Sequence, residues 1–322
     1  MQFNKYKTEI NEFLKYAGYK YSVDIKEDGD SYKMILVHED YLEAIPNAGK
    51  CLSYGESNAF SLVLFMYECL SINPDLIILD DPISSFDRNK KFAIIEMLFR
   101  KKGNFQKRTV LMFTHDIEPI IDIVRNFSSK FAEFSTACFL HSSGNRVMEI
   151  PINRSDIITF TQVCKENIAI HAEDIIKLIY LRRYQEILDN KGIEYQILSS
   201  LFHKKNHPDN QEENRPMTDQ EISDATIAIE EFVPSFEYFS LLARVNDVAN
   251  MSSIYTTVDN NYEKLQLFRI IHNDNHENDV LKKFVNETYH IENEYVMQLN
   301  PHKYDFVPDY IIDECDKVIN SL

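Results

Sequence analysis

The chain has 322 residues, of which 44% are hydrophobic and 12% aromatic; this excludes a largely disordered protein and allows one large packed domain or two of ordinary size. Its 51 acidic and 34 basic residues give a formal net charge of −17. A surface this acidic repels phosphate backbones, so nucleic-acid contact would need a local basic patch. A short basic cluster, FRKKGNFQKR (99–108), is more simply interpreted as a solvated helix end and turn.

Three further features bear on the cellular compartment. No apolar run approaches the roughly 18–20 residues that a membrane span needs. The first residues, MQFNKYKTEINEF, lack the apolar core of a signal peptide. The five cysteines are scattered and form no C-x-x-C pair. We therefore expect a cytoplasmic protein with reduced thiols and no membrane contact, and with neither a disulfide framework nor a zinc site.

Strand and helix patterns alternate in the first half of the chain. A pair of strands joined by the turn EDGD is predicted at 20–40, an apolar helix at 58–72, and a second hairpin around Ser-Gly-Asn at 135–150. The apolar runs DLIILDD (75–81) and RTVLMFTHD (108–116) are typical of buried parallel strands. They alternate with amphipathic helices, which predicts an α/β domain with a mostly parallel sheet over residues 1–150.

From about residue 151 the pattern is helical, which predicts an all-helical domain over 151–322. The polar stretch at 203–221 is predicted to be a loop or a disordered excursion. It ends in a capping-box pattern, with Thr218 as the expected helix N-cap and Glu221 three residues later.

Gly49-Lys50 superficially suggests a phosphate-binding loop. Such a loop needs G-x-x-x-x-G-K-[ST], because its glycines let backbone N–H groups surround the phosphates and its hydroxyl binds Mg²⁺. Here Ala44 stands at the first glycine position, Cys51 at the hydroxyl position, and Pro46 interrupts the loop. We conclude that the chain contains no Walker A motif.

Four other elements occur in a recognisable order: LSYGE (52–56), LIILDD (76–81), SSFD (84–87) and MFTHD (112–116). Together they resemble the signature, Walker B strand, D-loop and histidine loop of an ATP-binding-cassette (ABC) type ATPase head. The signature departs from Leu-Ser-Gly-Gly-Glu at Tyr54. The resemblance implies the C-terminal half of a P-loop ABC-type head, using ATP and Mg²⁺.

The signature residues are the expected nucleotide contacts. Ser53 and the N–H groups of Tyr54 and Gly55 are predicted to lie at a helix N-terminus, which attracts anions, and Glu56 completes the motif. In a head-to-head dimer, the resemblance implies that they contact the γ-phosphate of an ATP held by the partner.

The remaining motif residues have the roles that the resemblance implies. Asp80 closes a strand and would hold the water shell of Mg²⁺. Asp81 stands where most ABC proteins carry the glutamate that polarises the attacking water, and it is one methylene shorter. Asp87 would organise the dimer interface, and His115 would contact the γ-phosphate and orient the water. Asp116 is more simply predicted to be a helix N-cap.

The motifs DDPISSFD and THD, followed by a helical domain, indicate a narrower resemblance. The chain resembles bacterial ATPases related to SMC and RecF-type heads, including anticodon-nuclease-like and phage-defence ATPases. In these a coiled coil separates the Walker A lobe from the signature lobe. Residues 1–18 would then be the end of a returning coiled-coil helix. The Walker A lobe would then lie outside this chain. Three explanations are open: the lobe is a separate gene product, the reading frame is shortened, or the chain boundary is artificial.

Two alternatives remain open for the function. The chain could be a non-catalytic docking module that supplies LSYGE in trans to a partner lobe, with an effector protein as a further partner. It could instead be an ATPase-controlled ribonuclease of the HEPN-like kind, with Arg269 and His276 on one helix as phosphate clamp and general acid/base. His272 and His276 could also bind a metal, but no carboxylate stands at the position that HExxH requires.

Overall fold

The computed structural model describes residues 3–28, 31–40, 52–100, 104–126, 134–143, 146–272 and 299–321. The chain divides into two compact units, Met1–Phe127 and Ser128–Leu322. The boundary near residue 150 stays a prediction; the structural division falls before the second hairpin and not after it.

The first unit is mixed α/β. Its elements in chain order are α1 (Phe3–Tyr16), β1 (Tyr21–Asp28), β2 (Ser31–His38), α2 (Tyr54–Ile72), β3 (Ile77–Asp80), α3 (Arg88–Phe99), β4 (Val110–Phe113) and the short α4 (Glu118–Ile120), which continues as π-helical turns Ile121–Asn126. Ile10, Phe13 and Leu14 follow helical spacing along α1 and are buried in the core of this unit. The helix expected at 1–18 is therefore present, and its role as a coiled-coil end stays a prediction.

Strands β3 and β4 form the predicted parallel pair, with α3 in the crossover between them. Ile77 is paired with Val110 and Asp80 with Phe113. The prediction of a mostly parallel sheet is wrong for the described strands, because β3–β4 is a separate parallel pair while β1–β2 and the pair at 137–152 are antiparallel. A parallel pair needs a long crossover, whereas only two residues of sequence separate β1 from β2, which allows antiparallel pairing alone.

The second unit is mostly helical. Its helices are α5 (Phe160–Ile170), α6 (Asp174–Ile187), α7 (Ile193–Phe202), α8 (Asp219–Glu230), α9 (Tyr238–Asn246), α10 (Val248–Thr257), α11 (Asn261–His272) and α12 (Asp309–Ile319). It also holds an antiparallel hairpin of β5 (Ala137–Ser143) and β6 (Arg146–Ile152). Phe139 of β5 packs edge-on against Tyr304 and Phe306, and the Tyr304 hydroxyl donates to the Pro151 carbonyl at 2.9 Å. The unit is thus not all-helical.

The polar stretch at 203–221 is ordered by its own hydrogen bonds. It contains a two-residue antiparallel pair, β7 (Asp209–Asn210) with β8 (Arg215–Pro216). Arg215 forms an ion pair with Glu221 at 2.7 Å, and the Asn210 amide donates to the same carboxylate at 2.9 Å. The capping box of Thr218 and Glu221 at the start of α8 is confirmed. The expected loop is therefore a structured connection and not a disordered one.

Within the described ranges, every helix is too short or too polar to cross a membrane.

Candidate functional site

Helix α2 begins at the signature sequence because Ser53 caps it. The Ser53 Oγ accepts a hydrogen bond from the Glu56 N–H at 3.3 Å, and the Glu56 Oε2 accepts one from the Ser53 N–H at 2.8 Å. This reciprocal capping box satisfies two of the donors that a helix start leaves open. Among the described residues, nothing accepts from the N–H groups of Tyr54 and Gly55. The Tyr54 side chain is 77% exposed, so the helix start is open to an external anion.

The D-loop segment lies beside the signature helix. A Cβ built on Gly55 would lie 3.7 Å from the Ser85 carbonyl oxygen, which is ordinary contact, and the Asn58 amide donates to the Ser85 Oγ at 3.2 Å. Asp87 caps α3 by accepting from the Lys90 N–H at 3.1 Å, and it forms an ion pair with the Lys90 ammonium at 3.0 Å. Within this chain Asp87 therefore has a local structural role, and its place in a dimer interface stays a prediction.

Asp80 is the last residue of the half-buried strand β3, and Asp81 follows it directly. Asp80 is exposed, whereas the Asp81 Oδ1 is buried and has no hydrogen-bond partner in the part of the chain that the structure describes. Asp81 has a left-handed backbone with φ of 45°, and its N–H donates to the Phe113 carbonyl at 2.9 Å. This conformation is uncommon for residues other than glycine, and a buried acceptor without a donor is unfavourable. Both features fit a carboxylate positioned to accept a hydrogen bond from a bound water.

His115 lies at the same edge of the sheet as the two aspartates. Because Asp80 is paired with Phe113 in parallel register, the carboxyl ends of β3 and β4 lie side by side. His115 is exposed and comes two residues after Phe113. The fold therefore brings together Asp80, Asp81 and His115 at one edge, which is where ligands bind in open α/β sheets.

The prediction for Asp116 is wrong. Ile117 stands at the N-cap position of α4 without a side-chain hydrogen bond, and Asp116 forms an ion pair with Lys91 at 3.0 Å. Lys91 also pairs with Glu118 at 3.1 Å. Burial opposes the charge on Lys91, but the hydrogen bonds and charges of these two carboxylates prevail and raise its pKa. This lysine is therefore engaged locally.

One face of the β3–β4 pair is apolar and exposed. Ile77 and Leu79 are buried against the core, while Ile78 is 55% and Leu111 45% exposed on the opposite face. Leu76 and Phe113 lie on the same side of the pair, and these two residues with Ile78 and Leu111 form the exposed apolar face. Parallel strands are normally covered on both faces. A parallel pair this small and half-covered therefore fits a sheet completed by further structure.

The nuclease pair is only half described. Arg269 lies on α11, and His276 lies outside the described residues, so the pair stays a prediction. Gly49-Lys50 also lies outside them.

A cluster that sequence reasoning missed lies in the second unit: His171, Glu263 and His302. These residues are far apart in the sequence and follow no motif spacing, so the sequence alone does not predict that they lie together. Burial favours a protonated Glu263, but the close contact with His171, together with hydrogen bonds from Tyr180 and His302, outweighs it and lowers the pKa of this carboxyl.

No protein-family model matches the chain. An uncharacterized chromosomal cassette protein (SCCmec type IVc protein CR006) of Staphylococcus aureus, including strain MRSA252, is 24% identical over 220 residues, covering 62% of this chain and 30% of the relative. The zinc import ATP-binding protein ZnuC of Ehrlichia canis is 41% identical over 66 residues, covering 20% of this chain and 25% of ZnuC. The chain thus spans less than a third of these relatives, and part of it is similar to an ABC ATP-binding protein.

Proposed function

We propose that the chain is the signature-bearing lobe of an ABC-type ATPase head, and that it hydrolyses ATP together with a Walker A lobe from elsewhere. The observation that carries this is the carboxyl edge of the parallel β3–β4 pair, where Asp80, Asp81 and His115 follow adjacent strand ends. The local similarity to an ATP-binding protein also supports it.

The residues present fit Mg²⁺ and ATP. Carboxylate oxygens are preferred Mg²⁺ ligands, and the exposed Asp80 would hold the ion through its water shell. Bound Mg²⁺ would neutralise charge on the phosphates. The unpartnered Oδ1 of Asp81 would orient the attacking water, and His115 would contact the γ-phosphate. The open N–H groups of Tyr54 and Gly55 would contact an ATP that a second lobe holds.

The exposed apolar face supports the need for that second lobe. The Walker A lobe would cover Ile78 and Leu111 and extend the sheet, and two such heads would enclose two ATP molecules in a head-to-head dimer. In a bacterial DNA-associated or phage-defence system, hydrolysis would open the head or license an effector protein. A non-catalytic docking module would use the same surfaces without turnover.

Substitution of Asp81 separates catalysis from docking. We expect Asp81→Asn to lower ATP turnover of the complemented head by about 100-fold or more, because it weakens the group that polarises water. Nucleotide-dependent association should persist, as measured by analytical ultracentrifugation with ATP. Asp75→Asn, an exposed carboxylate just before β3, is the matched control and should leave turnover unchanged. Equal turnover in wild type and Asp81→Asn would remove Asp81 from the catalytic role, and turnover no higher than that of the Walker A lobe alone would leave the non-catalytic docking module as the better description.

A further inference from the structure

We propose that His171, Glu263 and His302 bind one divalent transition-metal ion, with Zn²⁺ the expected occupant. One ligand atom from each residue lies within 4.8 Å of the others. The His171 Nε2 and the His302 Nδ1 lie 2.9 Å and 3.0 Å from the Glu263 Oε1. Two imidazoles and one carboxylate form a donor set that suits zinc. This site is independent of the proposed ATPase function and uses no cysteine, which is why the cysteine pattern argued against zinc.

The contacts inside the cluster leave ligand capacity unused. The His171 Nε2 is buried and, although close to the carboxylate, lacks hydrogen-bond geometry toward it. The Glu263 Oε1 is approached by both imidazoles and also accepts from the Tyr180 hydroxyl at 2.9 Å. A tetrahedral zinc ion with bonds of 2.0–2.2 Å would hold its ligand atoms roughly 3.3–3.5 Å apart. An ion would therefore relieve the crowding at one oxygen through small side-chain adjustments.

The charge balance also favours a cation. The Glu263 side chain is only 2% exposed, and a buried carboxylate needs a compensating positive charge. A divalent ion bound to all three groups would supply that charge directly. The metal would thus stabilise the buried end of α11.

Buried amides position the segments that carry the ligands. The Asn260 side chain accepts from the Glu263 N–H at 3.0 Å and donates to the Pro301 carbonyl at 2.6 Å, so it joins α11 to the residue before His302. Asn167 of α5 and Asn300 exchange two amide hydrogen bonds of 2.9 Å and 2.8 Å. Because α5 ends just before His171, all three ligands are held by a network that does not involve the ligand atoms themselves.

The surroundings provide orientation on one side and access on the other. The Tyr180 ring, which is fully buried, stacks on the His171 ring with centroids 5.7 Å apart. Its hydroxyl bond to Glu263 resembles the outer hydrogen bonds that orient metal ligands in other proteins. The His302 side chain is 42% exposed, so the ion can enter from solvent. Three protein ligands leave a fourth tetrahedral position for water, as in catalytic zinc sites.

The test uses the full chain, stripped with a chelator and titrated with Zn²⁺ alone. We expect one equivalent of bound zinc by elemental analysis after dialysis, and a tetrahedral Co²⁺ absorption spectrum when Co²⁺ replaces it. His302→Ala and Glu263→Gln should each weaken zinc binding at least 100-fold, because they remove a direct ligand. His302 is half-exposed, so its substitution tests the site even where the change at buried Glu263 unfolds the chain.

His207→Ala is the matched control, since His207 is an exposed histidine of the same unit, and it should bind zinc with unchanged affinity. Zinc that stays bound with equal affinity in His302→Ala would overturn the proposal, because the cysteines or surface histidines would then hold it. Binding of less than a tenth of an equivalent by the wild-type chain would overturn it as well.

Discussion

Ser53 combines a structural and a proposed functional role at the start of α2. Ser53→Ala removes the acceptor for the Glu56 N–H, so we expect the free energy of unfolding to fall by about 1 kcal/mol in denaturant titrations. The same change should weaken nucleotide-dependent association with a Walker A lobe, because the proposed function assigns this hydroxyl to the contact with ATP.

Thr218→Ala provides the comparison for Ser53. Thr218 belongs to a capping box of the same kind at the start of α8, in the other unit. Thr218→Ala should lower the free energy of unfolding by a similar amount and leave the nucleotide-dependent association unchanged. If wild type and Ser53→Ala associate equally with the Walker A lobe in the presence of ATP, Ser53 does not contact the nucleotide.

Individual residues were predictable where a motif coincides with the end of an element. Ser53 stands before an apolar helix and Asp80 at the end of an apolar strand, so pattern and chemistry agree on their positions. The role of Asp116 could not be predicted in this way. A carboxylate before a helix can either cap the helix or pair with a lysine, and only the fold shows that Lys91 is near. His171 and Glu263 meet only through the packing of helices, which no local pattern contains.

At the scale of elements, the exposed apolar face of β3 and β4 makes a distinct prediction. Leu111→Glu should leave the melting temperature of the isolated chain nearly unchanged, since this side chain is already 45% exposed. It should, however, abolish assembly with a Walker A lobe, because the charge would be buried there without a partner.

Ile227→Glu is the control for the apolar face, since Ile227 is an exposed apolar residue on α8. It should affect neither melting nor assembly. Pull-down with the Walker A lobe distinguishes the two variants, and assembly that survives Leu111→Glu would show that the face has another use.

The turn at Asp156 should make stability depend on pH. Burial alone would raise the pKa of this carboxyl, but the Lys303 ammonium at 2.6 Å and the Asn153 N–H lower it. A lowered folded pKa stabilises the fold above the ordinary aspartate value of about 4, and this stability is lost as the pH falls through the folded pKa. Asp156→Asn should therefore lower the free energy of unfolding by roughly 1 kcal/mol at pH 7.

The deficit of Asp156→Asn should shrink as the pH falls below about 4, because the carboxyl of the unfolded wild type then takes up a proton, and it should vanish below the folded pKa. Denaturant titrations at pH 7 and pH 3 measure it. Asp189→Asn, whose side chain is 91% exposed, should show no comparable difference at either pH. A deficit that is the same at both pH values would mean that packing, not charge, is responsible.

At the scale of the whole molecule, the α/β first half and the helical second half were predictable because period-2 and period-3.6 patterns separate cleanly along the chain. The pairing of the strands could not be predicted in the same way. A local pattern shows where a strand lies, but it does not show which other strand it pairs with. The ordered connection at 203–221 was also missed, because much of its order comes from polar contacts such as the ion pair of Arg215 with Glu221, which a hydropathy pattern does not register.

The central claim is that this chain completes an ATP site without holding the phosphates itself. Phosphate release from ATP tests it most directly, measured for the chain alone and after mixing with a lobe that carries G-x-x-x-x-G-K-[ST]. We expect the isolated chain to release no more phosphate than its Asp81→Asn variant, and turnover to arise on mixing. Robust hydrolysis by the isolated chain that is lost in Asp81→Asn would contradict the claim.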